Sequence, residues 1–169
     1  MPIRIKRMET DDEVRGKAYV HWKSWQETYP GMMDAAYLAS RTLVKCEEQA
    51  FRWRDNLHVA KNGERVVGFV GYGAAGDALP ETGEIFALYV LGEYAGQGVG
   101  TALMNAALDR LAAYPRVVLW VLKENKRAIR FYEKCGFRPD GTEKYVESVG
   151  AAGIRMMLER VNCQTKCNS

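Results

Sequence analysis

Long apolar runs are missing from this chain. No segment approaches the ~20 consecutive apolar residues that a membrane helix requires, so a membrane role is not expected. Histidine is scarce: His21 and His58 are the only two in 169 residues, and neither has a partner at metal-ligand or triad spacing. A large excess of positive charge is lacking as well. The net charge of +3 falls short of the basic stripe usual in nucleic-acid binding, although it suits an anionic cofactor. Cysteine is confined to Cys46, Cys135, Cys163 and Cys167. With no apolar leader in MPIRIKRMETDDE, these are expected to be reduced thiols of a cytoplasmic protein. Cys163 and Cys167 fall in a polar tail (161–169), and a lone C-x3-C without a nearby His does not point to metal. No repeat, low-complexity tract or long linker divides the rest, so one domain over residues 1–160 is expected.

What is present has the rhythm of an α/β protein. Ile3 and Ile5 alternate as in a strand, and Thr10 with Glu13 makes a capping box before Val14, Ala18, Trp22 and Trp25 at helical spacing. The YPG break at 29–31 precedes a second helical region, expected from Asp34 to Trp53. Leu57–Ala60 and Val66–Tyr72 flank Asn62-Gly63, a pair suited to a tight hairpin turn. Glu84–Val90 and the continuous apolar run Val117–Leu122 are further strands, with a helix over Thr101–Ala113 between them. Asn125 can cap a helix from Lys126 to Cys135 that Gly136 ends, and a closing hairpin around Tyr145–Val146 and Ile154–Leu158 completes the order β-α-α-β-β-β-α-β-α-β-β.

The stretch LYVLGEYAGQGVGTAL (88–103) places Gly96, Gly98 and Gly100 between a strand and a helix. A helix start offers backbone N–H groups with no intrahelical partner, and glycines let a phosphate approach them closely. The spacing fails the nucleotide-triphosphate loop, since no Lys follows a Gly. It also fails G-x-G-x-x-G, which weakens a dehydrogenase-like reading. A bare turn and an anion cradle both remain open on this stretch alone.

Together with ENKRAIRFYEKCGF (124–137), the stretch resembles the GNAT superfamily of N-acetyltransferases. The later segment is similar to that family's Asn-x-x-Ala-x-x-Phe-Tyr-x-x-x-Gly-Phe signature at Asn125, Ala128, Phe131, Tyr132, Gly136 and Phe137, and SWQETYPG (24–31) is similar to a segment found in many members. The likeness spans about residues 3–160. It departs at the first position of the phosphate loop, where the family's Arg or Gln is Ala95 here.

The resemblance implies a mixed, mostly antiparallel sheet with a splayed parallel pair, flanked by helices. It implies acetyl-CoA as co-substrate, with pantetheine along Leu88, Tyr89 and Val90 and pyrophosphate over Ala95, Gly96, Gln97, Gly98, Val99, Gly100 and Thr101. Asn125 and Ala128 would border the cofactor, and a backbone N–H near Val90 or Leu91 would polarise the acetyl carbonyl. Tyr132 would give the cofactor's departing sulfur a proton or a strong hydrogen bond as the catalytic acid, while Glu84 would be the general base for the acceptor amine; their bland alternatives are core packing and a solvated strand start. Trp25, Thr28 and Tyr29 either wall the acceptor pocket or pack. One or two of Lys123, Lys126, Arg127 and Arg130 would meet a cofactor phosphate, or all four are a solvated helix face. Trp120 reads as core. The acceptor implied is a small-molecule amine or a protein N-terminus, and a homodimer is the general expectation. A cofactor-binding sensory module without turnover is the alternative.

Overall fold

The computed structural model describes residues 2–160; Cys163 and Cys167 lie outside them. Seven strands form one sheet in the order β1-β2-β3-β4-β5-β7-β6. They are β1 (Ile3–Arg7), β2 (Leu57–Asn62), β3 (Arg65–Ala74), β4 (Thr82–Val90), β5 (Arg116–Leu122), β6 (Arg138–Val146) and β7 (Ala151–Glu159). Five α-helices connect them: α1 (Asp11–Thr28), α2 (Ala35–Ser40), α3 (Leu43–Arg52), α4 (Val99–Arg110) and α5 (Lys126–Lys134). All neighbouring strands are antiparallel except β4 and β5.

That parallel pair shapes the molecule. It is joined only from Thr82–Ile85 opposite Arg116–Leu119, and beyond this seam the two strands no longer pair with each other, while β4 stays on β3 and β5 on β7. At the same level β4 carries a bulge against β3: Gly71 pairs with Ala87 and Tyr72 with Ile85, leaving Phe86 unopposed. A bulge bends its strand, which turns the end of β4 away from β5 and opens a fork.

The core explains why the fork holds. β3 is buried on both faces. Phe69 lies beneath α1, and Gly68 allows Leu103 of α4 to approach the strand, where an added Cβ would meet the leucine at 3.0 Å. Burying side chains such as Phe69, Leu103, Met104, Phe137 and Met156 stabilises by about 1.5–3 kcal/mol each.

Local signals set most boundaries. The Thr10–Glu13 capping box is formed in both directions. At the end of α5, Gly136 takes φ +101°, its N–H donates to Glu133 O, and the Phe137 N–H donates to Tyr132 O, a Schellman closure. Two expectations need correction. The helix expected from Asp34 to Trp53 is two helices, because Thr42 accepts from the Lys45 N–H and starts α3 anew after Arg41 leaves helical geometry. The β2–β3 turn is offset by one: Asn62 pairs with Arg65, so Gly63 and Glu64 form the turn, with Gly63 at φ +61°.

Candidate active site

The fork between β4 and β5 opens into a cleft of about 1060 Å³. Backbone direction at its β4 wall follows from register. The Leu91 N–H donates to Val67 O at 2.9 Å, and alternate residues of an antiparallel strand present their backbone groups to the same edge. The N–H groups of Leu88 and Val90 therefore point away from β3, toward the fork. Leu91 cannot polarise a ligand carbonyl as expected, since its donor is already spent; Val90 remains.

Past β4, a 3-10 turn at Gly92–Tyr94 leads to the glycine loop. Asn62 Nδ2 donates to the Tyr94 hydroxyl and Arg65 pairs with Glu93, which ties the turn to the β2–β3 hairpin. Gly96 and Gly98 adopt φ of +75° and +83°, and a Cβ at either would meet nothing within 4 Å. Gly98 is the N-cap of α4, and the first intrahelical bond is from the Ala102 N–H to Gly98 O. The N–H groups of Val99, Gly100 and Thr101 consequently have no partner within the helix. Gly100 serves a different purpose: a Cβ there would lie 3.2 Å from the Phe131 ring, so this glycine lets α4 and α5 approach.

The opposite wall comes from β5 and α5. Asn125 is buried, caps α5 by accepting from the Ala128 N–H at 3.2 Å, and keeps its amide NH2 available at the cleft. Ala128, Phe131 and Tyr132 line the cleft from the first turns of α5. Burial holds the Tyr132 phenol well above its ordinary range, and the neighbouring Tyr89 adds to this. It stays protonated and able to donate at any physiological pH.

Of the expected site residues, Leu88, Tyr89, Val90, Ala95, Gly96, Gly98, Gly100, Thr101, Asn125, Ala128 and Tyr132 line this one cleft, as do Trp25, Thr28 and Tyr29. Gln97 and Val99 do not: Gln97 turns back to donate to Glu93 O, and Val99 is buried. Glu84 does not line the cleft either. It sits in the parallel seam opposite Val118, where burial pushes its carboxyl up and Arg155 opposes the shift. Of the four basic residues near α5, only Arg127 faces the cleft, and Lys123 is paired with Glu143.

Sequence reasoning missed several wall residues. Trp120 is 41% exposed and lines the cleft, as does the bulged Phe86 at 57%. An uninterrupted apolar strand carries no alternation from which such exposure can be read. Met32, Met33, Val146 and Val149 close the same side, where the Asp34 N–H donates to Val149 O at 2.7 Å and joins the α1–α2 loop to the β6–β7 turn.

A family model described as "Acetyltransferase (GNAT) family" matches residues 18–137 of this sequence. The chain belongs to the GNAT acetyltransferase family. An uncharacterized N-acetyltransferase of Archaeoglobus fulgidus is 35% identical over 145 residues, covering 80% of this chain and 90% of that protein. A probable N-acetyltransferase of Mycobacterium tuberculosis is 29% identical, covering 82% of each. Among solved structures, the PaiA N-acetyltransferase of Thermoplasma acidophilum in complex with coenzyme A superimposes with a TM-score of 0.73 at 21% identity, covering 94% of this chain and 99% of that one. This GNAT member has no helix long and apolar enough to cross a membrane among its described residues, and no group of three or more potential metal ligands among them.

Proposed function

We propose that this GNAT acetyltransferase moves the acetyl group of acetyl-CoA to a primary amine by direct attack within a ternary complex. The observation that carries this reading is the convergence of four elements on one cleft: the free edge of β4, the glycine turn with the start of α4, Asn125, and the Tyr132 hydroxyl. The coenzyme A carried by the PaiA structure supports the cofactor class.

The diphosphate would meet the unpartnered N–H groups of Gly100 and Thr101 and the open faces of Gly96 and Gly98. Main-chain donors do not depend on the side chain at Ala95. The helix dipole adds about 0.3–1 kcal/mol there. The pantetheine would pair with the outward backbone of Leu88 and Val90, and the Val90 N–H would stabilise the oxyanion as the amine attacks the thioester carbon.

Bond changes balance as follows. A C–N bond forms, the C–S bond breaks, the new ammonium loses a proton and the sulfur leaves as thiolate, then thiol. A phenol held above pKa 10 does not give its proton outright to a thiolate near about 8.5. Tyr132 instead supplies a hydrogen bond that grows as charge develops on sulfur. Glu84, one residue before the cleft lining begins at Ile85, would take the amine proton through water; its carboxyl, pushed up by burial, is a better base than an exposed one. Trp25, Thr28, Tyr29, Phe86 and Trp120 would wall an acceptor of small-molecule size or an N-terminal residue.

Acetylation of a chemically diverse amine panel, followed by Tyr132→Phe on any accepted amine, tests the reading. A loss of turnover of tenfold or more with acetyl-CoA affinity kept is expected. Acetyl-CoA binding without release of free CoA across the panel would instead make the protein a cofactor sensor.

A further inference from the structure

Three buried side-chain polar atoms have no hydrogen-bond partner among the described residues, His21 Nδ1, Ser24 Oγ and Arg41 Nε, and a fourth, Trp25 Nε1, has only the Tyr89 hydroxyl within reach. They occupy one neighbourhood. Lys17, His21, Ser24 and Trp25 follow at i, i+4, i+7 and i+8, which places them on one face of α1. The His21 ring lies 5.5 Å from Trp25 and 5.7 Å from both Phe69 and Tyr89. The Lys17 ammonium sits 4.7 Å over Phe69, and the Arg41 guanidinium 5.4 Å over Trp25. Arg41 donates to Gln49 Oε1 through Nη2, which leaves Nε unused.

No carboxylate answers this charge. Among the described residues, none of Lys17, His21 and Arg41 forms an ion pair. Yet Lys17, His21 and Ser24 are only 6%, 8% and 3% exposed. The other titratable neighbours are the Cys46 thiol and the Tyr29 and Tyr89 phenols, all pushed up by burial and hence neutral at pH 7. Burial drives Lys17 down to about 8, with Cys46 opposing and Arg41 reinforcing the shift. It drives His21 to about 3, with Lys17 and Arg41 adding to the effect. An isolated buried cation costs several kcal/mol and an unmet buried donor about 1–3 kcal/mol, so a cluster of both is strained until an anion compensates.

We propose that Lys17, His21, Ser24, Trp25 and Arg41 form an internal receptor for a small carboxylate. The three orphaned atoms, with His21 as the Nδ1–H tautomer, and the Lys17 ammonium offer donors for the roughly four lone-pair positions of a carboxylate, and Lys17 and Arg41 supply the countercharge. Ser24 and Trp25 also line the cleft, so the carboxylate belongs either to the acceptor amine itself or to a free acid. The site goes beyond the acetyl-transfer reading and does not rest on it.

The test follows the thermal unfolding of the full chain at pH 7 as sodium formate replaces bulky sodium gluconate at constant ionic strength. A saturable rise in Tm is expected for the wild type and is lost in Arg41→Gln and in the milder Ser24→Ala. Should Arg41→Gln fail to fold, Ser24→Ala and the His21 ring resonances of the wild type decide, the latter shifting saturably with formate alone. An equal response to both anions, a response undiminished in the variants that fold, or unmoved His21 resonances overturns the proposal and leaves bound water as the partner of these donors. Adding alanine or alaninamide, which differ at the carboxylate, separates the sources. Displacement of formate by alanine only assigns the site to the acceptor's carboxylate, and no displacement by either assigns it to a free acid; both results support the receptor.

Discussion

The hydroxyls of Tyr29 and Tyr89 meet at 2.9 Å, joining the end of α1 to the end of β4 across 60 residues of chain. Both phenols are raised by burial and stay neutral, so the contact fixes position without acting as a base. Tyr89 also neighbours Tyr132 and adds to the upward shift that burial gives that phenol, which keeps the proposed hydrogen-bond donor protonated.

Tyr29→Phe removes one hydroxyl and leaves its partner buried. A stability loss of about 1 kcal/mol is expected from the broken bond, read by urea unfolding. If Tyr29 walls the acceptor side as proposed, the acceptor KM rises at least threefold while acetyl-CoA affinity is unchanged. An equal rise in both constants would place Tyr29 with the cofactor instead.

Gly98→Ala separates the two uses of the glycine turn. Its φ of +83° costs an alanine about 1–2 kcal/mol, although no neighbour obstructs the methyl group. Coenzyme A binding, measured by calorimetry, weakens tenfold or more as the N–H cradle distorts. Gly100→Ala, by contrast, presses on Phe131 and lowers stability more than it lowers affinity.

Glu84→Gln probes the proton path. Burial, its largest influence, raises this carboxyl, so the wild-type rate rises with pH through a value above the ordinary carboxylate range. The variant loses that limb of the kcat/KM profile and falls at least tenfold at pH 7, with cofactor affinity kept. If Glu27→Gln, at the one carboxylate lining the cleft among the described residues, has this effect and Glu84→Gln does not, the base is Glu27.

Glu13 predicts the acid stability of the fold. Burial alone would raise it, but hydrogen bonds from Lys6, the Glu9 and Thr10 amides and Lys61 outweigh that and hold it at about 2. A carboxyl depressed in the folded state contributes stability above its unfolded pKa of about 4.5, and that contribution fades as pH falls toward 2. Glu13→Gln costs about 3 kcal/mol at pH 7, since the buried Lys61 is left with only the exposed Glu64 at 3.6 Å, and flattens the decline between those pH values. Chemical unfolding at a series of pH values measures both.

Much of this architecture was legible because it is local. Thr10 with Glu13, Asn125 before α5 and Gly136 after it each act within a few residues. Features decided by distant neighbours were hidden. Thr42 starts a separate helix although its surroundings read as helical, and the register of β2 on β3 moved the hairpin turn by one residue. Trp120 is exposed because it faces the cleft, and the role of Gly100 depends on Phe131 in another helix. His21 gave no spacing signal at all, since its partners come from β3, β4 and the next turn of its own helix.

The seam between β4 and β5 has one further consequence. Four strands drawn from the first 90 residues and three drawn from the last 54 touch edge to edge along only four residue pairs. The sheet is thus built like a book with a short spine. A molecule lying between its pages, bonded to both, would bind the leaves together, and its departure would loosen the spine before either leaf comes apart.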